Sequence, residues 1–474
     1  MKTRAVVAIA VLSCAIVSGG WLVQRGLISG SPASSRKFDG GRLFQQVLSR
    51  VAEDYVDTAA VKDVYKKAVD GLLLELNDPH TSYLTNDRLA RLNETTSGQY
   101  AGIGVQIDIR DGWITVVAPL AGSPAEEAGI RTGDRITQIE GKSTHRWTAE
   151  EAQKALRGAP GTAVAIGIER FGTSAPIPFK LVRRQIRIRS VQHAVMLRDG
   201  VGYVDLLAFS DSAAPELRRE IDSLRAAGMT RLLLDLRGDP GGLLDQGVAV
   251  SELFLDSGQD IVSMRGRTPE VTRDFRDRAP QLWPDLVLGV LVDSGSASAS
   301  EIVAGALQDH DRAVIIGTPT YGKGSAQTVF NVPGGGLKLT IAKWFTPSGR
   351  SIDRPHSSSV APSGRPSAAG RSDSASAAPR YKTDAGRIVM GGGGIKPDVV
   401  VTDSMAGVAA LALSRAVGSH ASDFRDALTG YALALKGSNT VATPDFVVTP
   451  AMRSELLRRL AEKKIVLDST TARL

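Results

Sequence analysis

Between Ser294 and Gln327 the chain supplies a hydroxyl and an amine that together could cleave an acyl bond. The first half reads Ser294-Gly295-Ser296-Ala297-Ser298-Ala299-Ser300-Glu301 and runs into the apolar stretch Ile302 to Leu307. Small residues ahead of Ser298 permit a sharp turn and a close approach of backbone to substrate. Ser298 stands where a helix would begin, with Glu301 three residues on, a spacing that marks helix starts. A hydroxyl there meets the positive end of the helix dipole, which favours developing negative charge. The second half, Thr320-Tyr321-Gly322-Lys323-Gly324-Ser325-Ala326-Gln327, offers one lysine between two glycines, so that it need not lie on a solvated face. Gln327, four residues further, would orient the amine by a hydrogen bond if a helical turn forms there. Ser298 as nucleophile and Lys323 as general base is the Ser-Lys form of hydrolase chemistry. The competing reading is a loop rich in glycine and serine with a surface lysine.

A second element is Arg237-Gly238-Asp239-Pro240-Gly241-Gly242-Leu243, after the apolar strand pattern Arg231 to Leu236. It mimics the trypsin-type active-site string, but Pro240 stands where that serine would be, which closes the route. The Gly241–Gly242 pair after a strand suits presentation of backbone N–H groups to an oxyanion. A purely structural turn is the alternative. A Ser298–His310–Asp309 triad can be drawn on paper. Adjacent residues make poor base and orienter, because the aspartate must bond the far side of the ring. Asp309 is therefore read as structural support, and His80, after Asn77-Asp78-Pro79, as a loop-packing histidine.

These residues need a scaffold. Strands at Val201–Leu206, Arg231–Leu236 and Leu286–Val292 alternate with an amphipathic helix from Ala214 to Ala227, which predicts an α/β core. Ahead of it, from Gly98 to about Arg184, short strands and turns take over. They run through Gly102-Ile103-Gly104-Val105, Trp113–Val117, a short helix near 123–130, a helix from Thr148 to Arg157, and a last strand at Val164–Ile168. Residues 38–95 show helical spacing, with Leu43, Val47, Val51 and Tyr55 four apart, then Tyr65, Val69, Leu72, Leu73 and Leu76. Lys2 and Arg4 precede an uncharged run from Ala5 to Val23, which fits either a cleaved signal or a membrane anchor, with the anchor preferred. Residues 30–37 are a linker by composition, and 356–378 read as a flexible insertion.

With 474 residues, two to four domains are expected. The single cysteine, Cys14, excludes an internal disulfide framework and a cysteine-based zinc site. A net charge of +7 without a basic stripe interleaved with aromatics argues against nucleic acid.

The stretch from Ser294 to Gln327 closely resembles the active-site region of the carboxyl-terminal processing peptidases, or tail-specific proteases. In that family the nucleophile is the middle serine of a Ser-Ala-Ser-Ala-Ser-Glu run, here Ser298. The base is the lysine of a Gly-Lys-Gly-Ser run, here Lys323, and 323 − 298 = 25 residues matches the family spacing. The resemblance completes the triad with Gln327, assigns oxyanion donors to Gly241 or Gly242 together with Ala299, and implies a supporting role for Asp309. The 98–184 region resembles a PDZ domain of the permuted bacterial kind. The loop Gly102-Ile103-Gly104-Val105 would then hold a peptide's terminal carboxylate while the peptide adds as a strand. Arg157 matches a family arginine thought to couple this module to the catalytic site.

The resemblance implies a multidomain α+β protein: an α/β crotonase-like Ser-Lys protease core carrying an inserted PDZ-like β domain, with flanking helical segments. The expected division is a signal or anchor at 1–29, a linker at 30–37, and an N-terminal helical region at 38–96. The PDZ domain follows at 97–185, the core at 186–403 and a C-terminal helical region at 404–474. The implied function is a serine endopeptidase that cleaves near the C-termini of exported proteins under PDZ control. The alternative is a non-catalytic, membrane-tethered PDZ scaffold. No metal or other cofactor is expected. The implied partners are protein or peptide C-termini, an activating adaptor, the membrane through the N-terminal segment, and further copies of the chain. Localisation would be periplasmic or in the cell envelope.

Overall fold

The structure is a computed structural model. It describes residues 40–58, 60–170, 173, 175–354, 379–401, 404–438, 440–441 and 446–467, with no description of the side chains of 404–409 and 422. The signal or anchor segment, Cys14, the linker and the 356–378 insertion lie outside the described residues. No helix among those described is long and apolar enough to cross a membrane.

The chain divides at Pro79 into two compact units. The first contains α1 (Gly40–Asp54) and α2 (Val61–Leu74). Both follow the predicted spacing, yet Leu43, Val47 and Val51 on α1 are 49%, 51% and 41% exposed.

The second unit opens with β1 (Ser82–Thr85) and α3 (Asn86–Ser97). The stretch Ser82–Thr85, expected within a helical region, is a strand because it pairs antiparallel with the distant strand Gly335–Phe345. The PDZ-like body holds β2 (Gln99–Gly102), β3 (Val105–Arg110), β4 (Trp113–Pro119), α4 (Pro124–Glu127), β5 (Arg135–Ile139), β6 (Lys142–Ser143), α5 (Ala149–Leu156), β7 (Ala163–Glu169), β8 (Ile177–Val182) and β9 (Arg184–Arg187). Its main sheet runs β3-β4-β5-β7-β8. Strand β7 is not the last one here: β8 pairs along its whole length, and β9 returns to pair with β2. That return carries the body across the expected boundary at 185. Thr148 caps α5 by the reciprocal bonds of a capping box with Glu151. The apolar periods of strands and helix meet in one core containing Ile114, Val116, Ile136, Ala152 and Val164, each fully buried.

The α/β body contains β10 (Val191–Met196), β11 (Val201–Leu206), α6 (Ala213–Ala226), β12 (Arg231–Asp235), α7 (Leu244–Glu252), β13 (Asp260–Gly266), β14 (Arg273–Arg276), β15 (Val287–Val292), α8 (Ala299–Asp309), β16 (Val314–Gly317), β17 (Ser325–Val332), β18 (Gly335–Phe345), β19 (Arg380–Lys382), β20 (Ile388–Met390) and β21 (Val399–Val400). One sheet has the order β10-β11-β12-β15-β16-β21, parallel from β11 onward. An antiparallel sheet, β1-β18-β13-β14 with β17 on β18, forms a second layer. Every residue of α8 is buried, so this helix is a core element rather than an amphipathic cover. Each fully buried Val, Leu or Ile in this layer contributes roughly 1.5–3 kcal/mol. Helices α9 (Ser404–Val417), α10 (Ala421–Gly437) and α11 (Pro450–Glu462) follow, with a small core of Val417, Ala427, Leu460 and Ile465.

Candidate active site

Three neighbouring parallel strands, β12, β15 and β16, end on the same edge of the sheet. Open α/β sheets place ligands beyond the C-terminal ends of such strands. The turn after β12 carries Asp239 to Gly242, the loop after β15 carries Ser298, and the loop after β16 carries Lys323.

Ser298 has φ 56° and ψ −112°, a strained backbone for a residue with a side chain, and α8 begins immediately after it. Strain of this kind persists only where the surroundings enforce it. Here the first two loops are stitched together. Asp293 Oδ1 accepts the N–H groups of Gly238, Gly295 and Ser296 at 2.9, 2.8 and 3.2 Å. The Asp239 carbonyl accepts the Ala297 N–H at 3.0 Å and the Ser300 hydroxyl at 2.9 Å, one bond on each side of Ser298. Ser296 Oγ donates to the Leu236 carbonyl at 2.7 Å.

The third loop is bound by one carboxylate. Glu301 is fully buried. Its Oε2 accepts the backbone N–H of Ser298 at 2.9 Å and that of Lys323 at 2.9 Å. Its Oε1 accepts the Thr320 hydroxyl at 2.5 Å and the Gly322 N–H at 2.7 Å. Burial pushes this carboxyl up from its ordinary range, while the four donors oppose the shift by favouring the charged form. The sequence pattern shows Glu301 only as a helix-start residue; its hold on the lysine loop, 22 residues away, has no local signal. Lys323 itself is half-buried.

Gln327 lies in β17, not in a helical turn. Cross-strand pairing of β17 with β18 overrides the local spacing, and the Gln327 amide donates to Ser325 Oγ at 3.0 Å and Thr340 Oγ1 at 3.1 Å. Of the two glycines in the β12 turn, Gly241 packs directly on the loop that carries Ser298. A Cβ there would stand 2.6 Å from the Ala297 carbonyl oxygen, 2.8 Å from the Ala299 nitrogen and 2.9 Å from Ser298 Cβ, at a φ of 89°. Its N–H is already given to Asp239 Oδ1 at 2.8 Å. The N–H groups of Gly242 and of Ala299, the first helical residue, have no acceptor among the described residues.

Asp309 sits at the far end of α8 with 1% exposure and pairs with Arg350, which is 0% exposed, at 2.7 Å. Its other oxygen accepts the Ser348 N–H at 3.0 Å. The segment beyond Arg350 backs onto the lysine loop: Asp353 accepts the Gly324 N–H at 3.1 Å, and the Arg354 N–H donates to the Gly322 carbonyl at 3.0 Å. Among the described residues Asp309 is linked to the lysine loop through Arg350 and this segment. His310 bonds Asp384 through Nδ1 and the Asp260 carbonyl through Nε2, so both ring nitrogens are spent away from Ser298.

In the PDZ-like body a cleft of about 440 Å³ lies between β3 and α5, lined by Gly102, Ile103, Gly104, Val105, Ile107 and Leu156 among others. The loop is fixed from behind, because the Ile103 carbonyl takes the Ala125 N–H at 2.9 Å and the Gly104 carbonyl takes Ser123 Oγ at 3.0 Å. Arg157 stands on the cleft wall, ion-paired with Glu94 of α3 and with its guanidinium 4.9 Å from the centre of the Tyr100 ring. Among the described residues it shares no partner with the Ser298 cluster. Among the described residues no cluster of His, Cys, Asp and Glu could hold a metal.

Comparison with known proteins follows the same two bodies. Residues 200–362 match the peptidase family S41 model, and residues 115–170 match a PDZ domain. A carboxy-terminal-processing protease of Bartonella bacilliformis is 39% identical over 314 residues, covering 65% of this chain and 71% of that protein. A probable CtpA-like serine protease of Staphylococcus aureus is 34% identical over 310 residues, covering 65% of this chain and 62% of its own length. The solved photosystem II D1 C-terminal processing protease is 26% identical, covers 81% of this chain and 98% of its own, and gives a TM-score of 0.39.

Proposed function

Because the chain belongs to the carboxy-terminal-processing proteases of peptidase family S41, we propose that Ser298 is its nucleophile and Lys323 its general base. The observation that carries this reading is the pair of hydrogen bonds that Glu301 Oε2 accepts from the backbone N–H groups of Ser298 and Lys323. One buried carboxylate fixes the origins of both side chains, which is the preorganisation that proton transfer between them requires.

The cleft of the PDZ-like body takes the substrate's C-terminus, with the peptide adding as a strand along β3 and its apolar side chain among Ile103, Val105 and Leu156. Neutral Lys323 accepts the hydroxyl proton of Ser298 as Oγ attacks the peptide carbonyl. The carbonyl oxygen gains a negative charge that the N–H groups of Gly242 and Ala299 stabilise, since the Gly241 N–H is held by Asp239. The lysine returns its proton to the leaving amine, water then attacks the acyl-enzyme, and Ser298 is regenerated. Gln327 and Asp309 serve by holding β17 and the lysine loop, and Arg157 reports occupancy of the cleft. The substrates are C-termini of exported proteins in the periplasm or cell envelope, reached by an enzyme with an N-terminal signal or anchor. An adaptor and self-association complete the assembly.

Family membership favours this enzyme over a non-catalytic scaffold. Ser298→Ala and Lys323→Arg, each checked for folding by circular dichroism, should lose all detectable cleavage of a model protein with an apolar tail. Turnover by either folded variant overturns the assignment.

A further inference from the structure

Asp239 lies in the turn after β12, between the exposed residues Gly238 and Pro240, yet its own exposure is 0%. Its Oδ1 accepts the Gly241 N–H at 2.8 Å. Its Oδ2 is buried and has no hydrogen-bond partner among the described residues. Its main-chain carbonyl grips both sides of Ser298 through Ala297 and Ser300. A carboxylate left with one oxygen bare and dry is very costly, whereas the protonated acid costs far less.

We propose that Asp239 is a positioning residue of the oxyanion turn that works as an uncharged acid, and that its ionisation switches turnover off; this rests on the Ser298–Lys323 reading above. The neutral carboxyl ties Gly241 to its own turn and keeps negative charge away from the place where the oxyanion forms. Ionisation releases a proton to solvent and sets a second negative charge next to Gly241, whose backbone packs on Ser298. Like charges that close in a partly dry site cost on the order of a hundredfold in rate.

The charged groups on the elements around it do not neutralise it. On its own turn, Arg237 is spent on Asp235 at 2.6 Å. Asp293, in the loop before α8, is bound by three backbone N–H groups. Glu301 on α8 is held by four donors. Asp211 after β11 and Asp245 on α7 are exposed acids, and Lys323 is the base itself. What acts on the Asp239 carboxyl is first burial, then the Gly241 N–H, and burial wins, pushing it up to about 8.

The test is the pH profile of kcat/KM on a tailed peptide, from about pH 6.5 to about pH 9.5, for the parent, Asp239→Asn and Ser298→Ala. The asparagine has the shape of the neutral acid and cannot ionise. The parent should lose about a hundredfold of its rate through a midpoint near 8, while Asp239→Asn turns over at neutral pH and shows no such fall. An active Asp239→Asn that keeps the parent's alkaline fall overturns the inference. So does a folded Asp239→Asn that is inert at every pH, or a parent with no alkaline fall. Activity in Ser298→Ala would instead sink the Ser-Lys reading itself, so the two failures are distinguishable. Should Asp239→Asn not fold, the infrared stretch of a protonated, weakly bonded carboxyl in the parent decides. It should be present at about pH 6.5 and gone by about pH 9.5, and its absence at the lower pH overturns the inference.

Discussion

Replacing Glu301 by glutamine should disable the site while leaving the substrate cleft intact. Each carboxylate oxygen accepts two donors: Oε1 takes Thr320 and Gly322, and Oε2 takes Ser298 and Lys323. An amide keeps one oxygen and turns the other into an NH2 group. With the NH2 toward Ser298 and Lys323, two N–H donors face a donor; with it toward Thr320 and Gly322, only the Gly322 N–H does, because the hydroxyl can turn and accept. Hydrogen bonds to a charged group contribute about 1.5–3 kcal/mol each, so about 1.5–6 kcal/mol of positioning energy is at stake. If that energy is what aligns the pair in the transition state, kcat falls by about 10–10⁴. KM should change by no more than about threefold, because no residue lining the cleft between β3 and α5 touches Glu301. The assay is steady-state cleavage of a fluorescence-quenched peptide with an apolar C-terminus, with thermal melting to check the fold. A Glu301→Gln enzyme that melts normally and keeps kcat within about threefold of the parent would refute the reasoning.

Gly241→Ala places a methyl 2.6 Å from the Ala297 carbonyl and 2.9 Å from Ser298 Cβ at a φ of 89°, so the turn must move. A misplacement of this size should reduce kcat at least a hundredfold in the same assay, and a fall under tenfold counts against Gly241 backing the nucleophile. Gly104→Ala, at a φ of 77° with Ser123 Cβ 2.3 Å from the new methyl, should spoil the carboxylate loop. KM for a tailed peptide should rise at least tenfold while hydrolysis of a small untailed ester is retained; equal loss on both substrates contradicts a binding role. For stability, Asp239 holds its proton up to about 8 in the fold against 3.8 when free. A raised pKa contributes fully below 3.8 and is lost as pH rises toward 8, so the parent's melting temperature should decline across that window more steeply than that of Asp239→Asn.

The parts of the site visible in the sequence are those whose meaning is local. Ser298 before an apolar run, Lys323 between glycines and the Gly241–Gly242 pair after a strand each carry their signal within a few residues. The strands β11, β12 and β15 and the helix α6 were equally plain, because continuous apolar runs and a period of 3.6 need no partner to be seen. What the chain concealed depends on contacts between distant loops. Glu301 joins Ser298 and Lys323, 25 residues apart, Asp293 holds the turn of β12 from the end of the neighbouring strand, and Asp309 pairs with a buried Arg350 at 41 positions' remove. The helical turn that would let Gln327 orient Lys323 does not form for the same reason: its strand conformation comes from pairing with β18, which the spacing to Lys323 cannot express. The apolar spacing of α1 predicted its helix correctly but not its exposure, since burial is a property of the neighbours rather than of the period.

The central claim is that Ser298 and Lys323 act as one nucleophile and base. The most direct measurement is mass-spectrometric mapping of the covalent adduct formed when the enzyme is mixed with an activated peptide ester and quenched early. The expected result is a single acyl group on the peptide containing Ser298 in the parent, and none in folded Lys323→Ala. An adduct on another residue, or acylation of Ser298 at an undiminished rate without Lys323, would contradict it.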